Sequence, residues 1–197
     1  MNTPTKLTML RIFLAVVIMV LLMFPWDAVG VSFPVIRYYI DIDLKYAIAG
    51  GIFIFASFTD FLDGYLARKN KEVTEMGKML DAIADKILIN SVLIIFAADG
   101  FIPAFVPVII IVRDIVVNAV RLEVATKGIV VEASDSGKIK TATLMIGMIL
   151  MFFSNMPFEL INIRVDLLFI YFATIMSLTS MFGYYYTNKK ALLSKSE

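Results

Sequence analysis

The sequence predicts an all-α integral membrane protein of six transmembrane helices with a short N-terminal interfacial helix. Three observations carry that prediction. Hydrophobic residues make up 60% of the 197-residue chain and charged residues only 18%, with a mean hydropathy of +0.85, beyond what a soluble domain shows. Six apolar runs, near 10–26, 38–66, 78–98, 103–125, 139–157 and 165–187, match the roughly 20 residues a helix needs to cross a hydrocarbon core. The connections between them are too short for a soluble domain, so residues 1–197 are read as one membrane domain.

The first eleven residues, MNTPTKLTMLR, are polar and basic, and Pro4 is expected to start the interfacial helix that leads into the first span. Lys6, Arg11 and the small residues Ala28-Val29-Gly30 also fit a secretory leader. The later spans favour a first helix that serves as its own insertion signal. Asp27 to Lys45 is read as a polar connection, and Gly50-Gly51 in the second span as a place for close packing or a bend. Lys69 to Glu75 is a short polar turn, expected to make the second and third helices antiparallel neighbours whose carboxylate faces meet. Asp99-Gly100 and Pro103 mark a tight turn, and Pro103 and Pro107 fall where the first turns of a fourth helix tolerate proline. Thr126 to Thr141 is the longest polar connection. The sixth span ends in Tyr184-Tyr185-Tyr186, residues suited to a headgroup belt.

Lysine and arginine concentrate on one side. Lys6, Arg11, Arg68, Lys69, Lys71, Lys78, Arg121, Lys127, Lys138, Lys140, Lys189, Lys190 and Lys195 face Arg37, Lys45 and Arg164 on the other. The positive-inside rule then puts both termini and the Lys69–Glu75 turn in the cytoplasm.

Composition narrows the chemistry. The chain has no cysteine and no histidine, which excludes disulfides, thiolate chemistry, imidazole general bases and histidine-ligated zinc. A metal site must be built from oxygen, which favours magnesium, manganese or calcium. A net charge of +1 gives no argument for nucleic acid.

Asp60, Asp63, Asp81 and Asp85 supply that oxygen. They lie in or beside apolar helices, where carboxylates are costly unless paired, hydrated or metal-bound. Spacings of three and four put each pair on one helix face. Such a set suits two hard cations in phosphoryl transfer, and an aspartate beside them can take a proton from an attacking hydroxyl. Gly64 and Gly77 leave the backbone open to a bulky ligand, and Arg68 can grip a phosphate. A different class of protein, a small cation transporter, would use the same acids near the middle of the bilayer in a discontinuous helix.

Residues 60–85 read D-x-x-D-G-x-x-A-R, eight residues, then G-x-x-x-D-x-x-x-D. The pattern resembles the signature of the CDP-alcohol phosphatidyltransferase family, with Asp60, Asp63, Gly64, Ala67, Arg68, Gly77, Asp81 and Asp85 at its fixed positions. The resemblance implies transfer of a phosphatidyl group from CDP-diacylglycerol to an alcohol with release of CMP, two Mg2+ or Mn2+ ions, and a homodimer. It implies Asp60, Asp63, Asp81 and Asp85 as metal ligands and Asp85 as the base. Asp60, Gly64, Ala67, Arg68 and Gly77 would shape the CDP site.

The rest of the chain is similar to the branch whose acceptor is glycerol 3-phosphate. Pro4, Thr8 and Arg11 match its P-N-x-x-T-x-x-R, with Thr5 for asparagine. Arg113-Asp114 and Arg121 stand for its R-E and later arginine, and Gly137, Lys138, Lys140 and Thr141 match G-K-x-K-T. Arg113 and Arg121, with Lys138 assisting, are therefore expected to hold the acceptor phosphate, with Thr8 and Arg11 as further acceptor contacts. Serine, inositol phosphate or phosphatidylglycerol are the other acceptors to weigh. A bacterial plasma membrane is the expected location.

Overall fold

Long apolar segments bounded by proline, glycine and charge form six helices in the computed structural model. It describes residues 3–37, 41–70, 75–126 and 135–193, without the side chains of 3–5, 37, 60–70, 75, 76, 78, 126, 135, 136, 188 and 190–193. The helices are α1 (Thr3–Met23), α2 (Leu44–Asn70), α3 (Glu75–Ala98), α4 (Phe105–Thr126), α5 (Asp135–Phe152) and α6 (Val165–Leu193). Among the described residues two stretches, Lys6–Met23 and Val165–Thr187, are long and apolar enough to cross a membrane by length and composition.

Three expectations change here. Among the described residues no separate interfacial helix precedes the first span: α1 runs unbroken from Thr3 to Met23, because Pro4 sits in its first turn and nothing after it breaks a helix. The second helix starts at Leu44 rather than near 38, because Val35–Arg37 (β1) and Asp41–Asp43 (β2) form an antiparallel pair with Ile36 opposite Ile42. The fifth ends at Phe152 rather than near 157, where Ser154 and Asn155 take left-handed φ values of 53° and 59°. Asparagine tolerates that conformation better than most residues.

Among the described residues α1 packs extensively on both α2 and α3, and its buried stripe of Ala15, Ile18 and Leu22 joins the shared core. The expected meeting of the α2 and α3 carboxylate faces falls on α2 side chains that lie outside the described residues. The other extensive pairings are α5 with α6 and α4 with α6.

Two close approaches tie these pairs together. A Cβ on Gly50 would stand 2.7 Å from Phe152 Cβ, so glycine lets α2 reach α5, whereas Gly51 faces open space. Gly147 does the same between α5 and α6, with Ile170 Cγ1 2.8 Å from where its Cβ would be. Beside Gly50 the ring of Phe152 meets Phe53 at a tilt and Phe96 edge-on, with centroids 5.6 and 4.8 Å apart, joining α2, α5 and α3.

The bundle is apolar outside as well as inside. Phe13, Val16, Val20 and Met23 on α1, Phe105, Val108, Val112 and Ile115 on α4, and Leu168, Phe172 and Ile175 on α6 are all exposed. These follow helical spacing, so each helix turns a continuous apolar stripe outward. Alanines, serines and threonines are buried between helices, including Ala49, Ala56, Ala84, Ala173, Thr59 and Ser177. That is the pattern of helices packed through small residues in a non-aqueous solvent.

The end opposite the candidate site is closed by polar contacts. Buried Asn155 donates to Glu159 and to the Ile163 carbonyl and accepts from the Asp166 backbone amide. Arg164 grips the buried Asp166 carboxylate with two hydrogen bonds, and Tyr46 bonds to Asp99. With Val35, Asp41 and Asp43 of the strands, Tyr46, Asn155, Glu159, Arg164 and Asp166 line a cavity of about 750 Å³.

Candidate active site

The helices alternate in direction, so the start of α1, the start of α3, the end of α4, the start of α5 and the end of α6 share one end of the bundle. Cations and carboxylates gather there. Asp81 and Asp85 lie in the first half of α3, four residues apart and therefore on one face. Their side chains are nearly half-exposed, at 43% and 46%. Arg11, on α1, is fully buried, and its Nη1 lies 2.8 Å from Asp81 Oδ1 and 2.9 Å from Asp85 Oδ1. Thr8, one turn earlier on α1, is also buried.

That geometry tests the metal expectation. Two carboxylate oxygens from successive turns converge on one point occupied by positive charge, and they leave a half-exposed approach. The donors are oxygen only, the kind a hard divalent cation takes, and among the described residues they are two such ligands, with no group of three assembled. Asp60, Asp63, Gly64, Ala67 and Arg68 lie on the last turns of α2, spaced so that Asp60 and Asp63 share a face, and their side chains lie outside the described residues. Gly77 opens α3 one turn before Asp81. Both α2 and α3 run unbroken through the acids, with none of the mid-helix discontinuity that a transporter site calls for.

A second cluster joins α4, α5 and α6. Arg113 is buried; its Nη1 donates to Asp114 at 2.7 Å and its Nη2 to Ser180 Oγ at 2.6 Å. Asp114 also accepts from Lys140 at 2.9 Å, so one carboxylate is held between two cations. Arg121, two turns further along α4, donates to the Tyr184 hydroxyl and lies with its guanidinium carbon 5.0 Å from that ring's centroid. Ser177, Ser180 and Tyr184 form one buried stripe on α6, which meets the arginine face of α4.

The expected acceptor residues are thus divided between two places. Arg11 joins Asp81 and Asp85, with Thr8 beside it on α1. Arg113 and Arg121 face α6. Lys138 is exposed, while Lys140 is buried and ion-paired. Residues two apart on a helix point about 200° away from each other, so only one of the two motif lysines can face inward. Sequence reasoning also missed Ser180 and Tyr184. Tyr184 is buried, unlike Tyr185 and Tyr186, and it meets Arg121. Its position one turn after Ser180 was the available signal.

Comparison with known proteins places this arrangement. The sequence pattern of CDP-alcohol phosphatidyltransferases matches residues 1–183. The chain belongs to that family. It is 38% identical over 197 residues to the CDP-diacylglycerol–glycerol-3-phosphate 3-phosphatidyltransferase of Bacillus subtilis (strain 168), covering 97% of each chain. The protein of the same name from Mycoplasma genitalium is 37% identical over 145 residues, 73% of this chain and 61% of its own length. That from Rickettsia felis is 28% identical over 190 residues, 96% of each. For this CDP-alcohol phosphatidyltransferase the signature residues divide between the last turns of α2 and the first turns of α3.

Proposed function

We propose that this chain transfers the phosphatidyl group of CDP-diacylglycerol to glycerol 3-phosphate, giving phosphatidylglycerophosphate and CMP. The observation that carries the reading is the convergence of Asp81 and Asp85 on one cationic point, at the end of the bundle that also holds Arg113, Arg121 and Lys140. The full-length similarity to the Bacillus subtilis protein of that name supports the acceptor.

Asp60, Asp63, Asp81 and Asp85 would hold two Mg2+ or Mn2+ ions, which when bound neutralise charge on the diphosphate and the leaving CMP. Asp85 takes the proton of the acceptor hydroxyl as its oxygen attacks the phosphorus that bears the diacylglycerol. The bond from that phosphorus to the bridging diphosphate oxygen breaks, and CMP departs with its electrons. Gly64, Ala67 and Gly77 leave room for the nucleotide, beside Asp60, and Arg68 grips its phosphate. Arg113 and Arg121 hold the acceptor phosphate, with Lys140 and Lys138 adding positive charge at the start of α5. A second anionic substrate beside an anionic first one needs such cations to approach at all.

The same reading makes all six helices membrane spans, with both termini and the site in the cytoplasm and the chain in a bacterial plasma membrane as a homodimer. The shortest helix, α5, has 18 residues, a rise of about 27 Å, close to the hydrocarbon thickness. Its support is the outward apolar stripes and the basic bias of the site end. The test is the lipid product formed by purified protein from CDP-diacylglycerol with glycerol 3-phosphate, serine, inositol phosphate or phosphatidylglycerol in turn. Phosphatidylglycerophosphate alone is the expected product; a product from another alcohol reassigns the acceptor.

A further inference from the structure

Arg11 presents a problem that holding an acceptor would not create. Its guanidinium is fully buried, and its Nη1 is shared between Asp81 and Asp85 at 2.8 and 2.9 Å. A buried guanidinium is costly to strip of its anionic partners. A divalent cation that enters between the two carboxylates must take oxygens Arg11 already engages, and it must then sit beside a second positive charge.

We propose that Arg11 is a resident counter-ion that competes with the divalent cation for Asp81 and Asp85 and so lowers the metal affinity of the substrate-free protein. The proposal rests on the reading of Asp81 and Asp85 as metal ligands. It gives α1, which contributes no carboxylate to the signature, a positioning role: it keeps two converging acids apart in charge and together in space until the metal arrives. Without Arg11 two like charges on successive turns would repel, and a divalent cation would bind with less to displace.

The test is Mn2+ binding to the full-length protein in detergent without lipid substrate, followed by the electron paramagnetic resonance signal of the free ion. Arg11→Met is expected to bind Mn2+ about tenfold more tightly or better, because it removes a unit positive charge at contact distance from both ligands. Arg11→Lys, which keeps the charge, should stay near wild type. Arg11→Gln accompanies it so that one neutral variant folds, judged by elution position and thermal midpoint. Unchanged or weaker binding in the folded neutral variants would overturn the proposal. The double variant Asp81→Asn, Asp85→Asn separates the two readings. If it binds Mn2+ as well as wild type, the metal assignment fails and the competition with it. If it loses binding while Arg11→Met shows no gain, the competition alone fails.

Discussion

Arg121 on α4 both donates a hydrogen bond to the Tyr184 hydroxyl and lies 5.0 Å from the centre of its ring. The two contacts fix a long side chain from two directions, in a place where the next two tyrosines of the same run are exposed. Tyr184→Phe keeps the ring and removes the hydroxyl. It should raise KM for glycerol 3-phosphate by about tenfold or more, as loss of one hydrogen bond to a charged group costs about 1.5–3 kcal/mol. KM for CDP-diacylglycerol should hold. Tyr185→Phe, measured in parallel, should change neither.

Arg113 stands between Asp114 and Ser180 with its guanidinium facing α6. Arg113→Ala removes a buried cation and leaves Asp114 with Lys140 as partner. The expected effect is a rise of about 100-fold or more in KM for glycerol 3-phosphate, in keeping with the roughly 3–5 kcal/mol lost when one partner of a buried pair is removed. Steady-state kinetics in mixed micelles, with each substrate varied separately, checks it. Equal increases for both substrates would remove Arg113 from the acceptor site.

Gly50 predicts a packing effect with no functional component. Gly50→Ala places a methyl group 2.7 Å from Phe152 Cβ, and overpacking of this kind costs about 1–3 kcal/mol. Gly51→Ala points into open space and should leave the thermal midpoint unchanged or slightly raised. Thermal unfolding of the two variants in one detergent distinguishes them.

Asn155 closes the end of the bundle opposite the site by bonding to Glu159, to the Ile163 carbonyl and to the Asp166 amide. Asn155→Ala leaves those groups short of partners and should cost about 1–3 kcal/mol of stability. The KM values of the protein that remains folded should not move, because the carboxylates are at the other end.

The parts of this fold that were legible in the sequence are those set by local periodicity. Asp81 and Asp85 had to share a face because they are four apart, and each of the six helices overlaps the apolar run that predicts it, though α1, α2 and α5 differ at their ends. What was not legible depends on distant partners. The packing of α1 on both α2 and α3 follows from how the stripe of Ala15, Ile18 and Leu22 packs, which no spacing along the chain encodes. The strands at 35–37 and 41–43 are three residues each, too short for an alternation to stand out. Ser154 and Asn155 end α5 by backbone conformation rather than by composition. Lys138 and Lys140 matched one motif equally, and only the rotation of α5 against Asp114 separates them. The side chains of Asp60, Asp63 and Arg68 lie outside the described residues, so their roles rest on the motif and on their place in α2.

The most direct test of the whole account is CMP release by the purified protein with CDP-diacylglycerol, glycerol 3-phosphate and Mg2+ or Mn2+, compared with Asp85→Asn. The account predicts metal-dependent CMP release that requires glycerol 3-phosphate and falls by at least about 100-fold in the folded variant, the scale of losing a general base. Undiminished CMP release from Asp85→Asn, or none from well-folded wild-type protein, would contradict it.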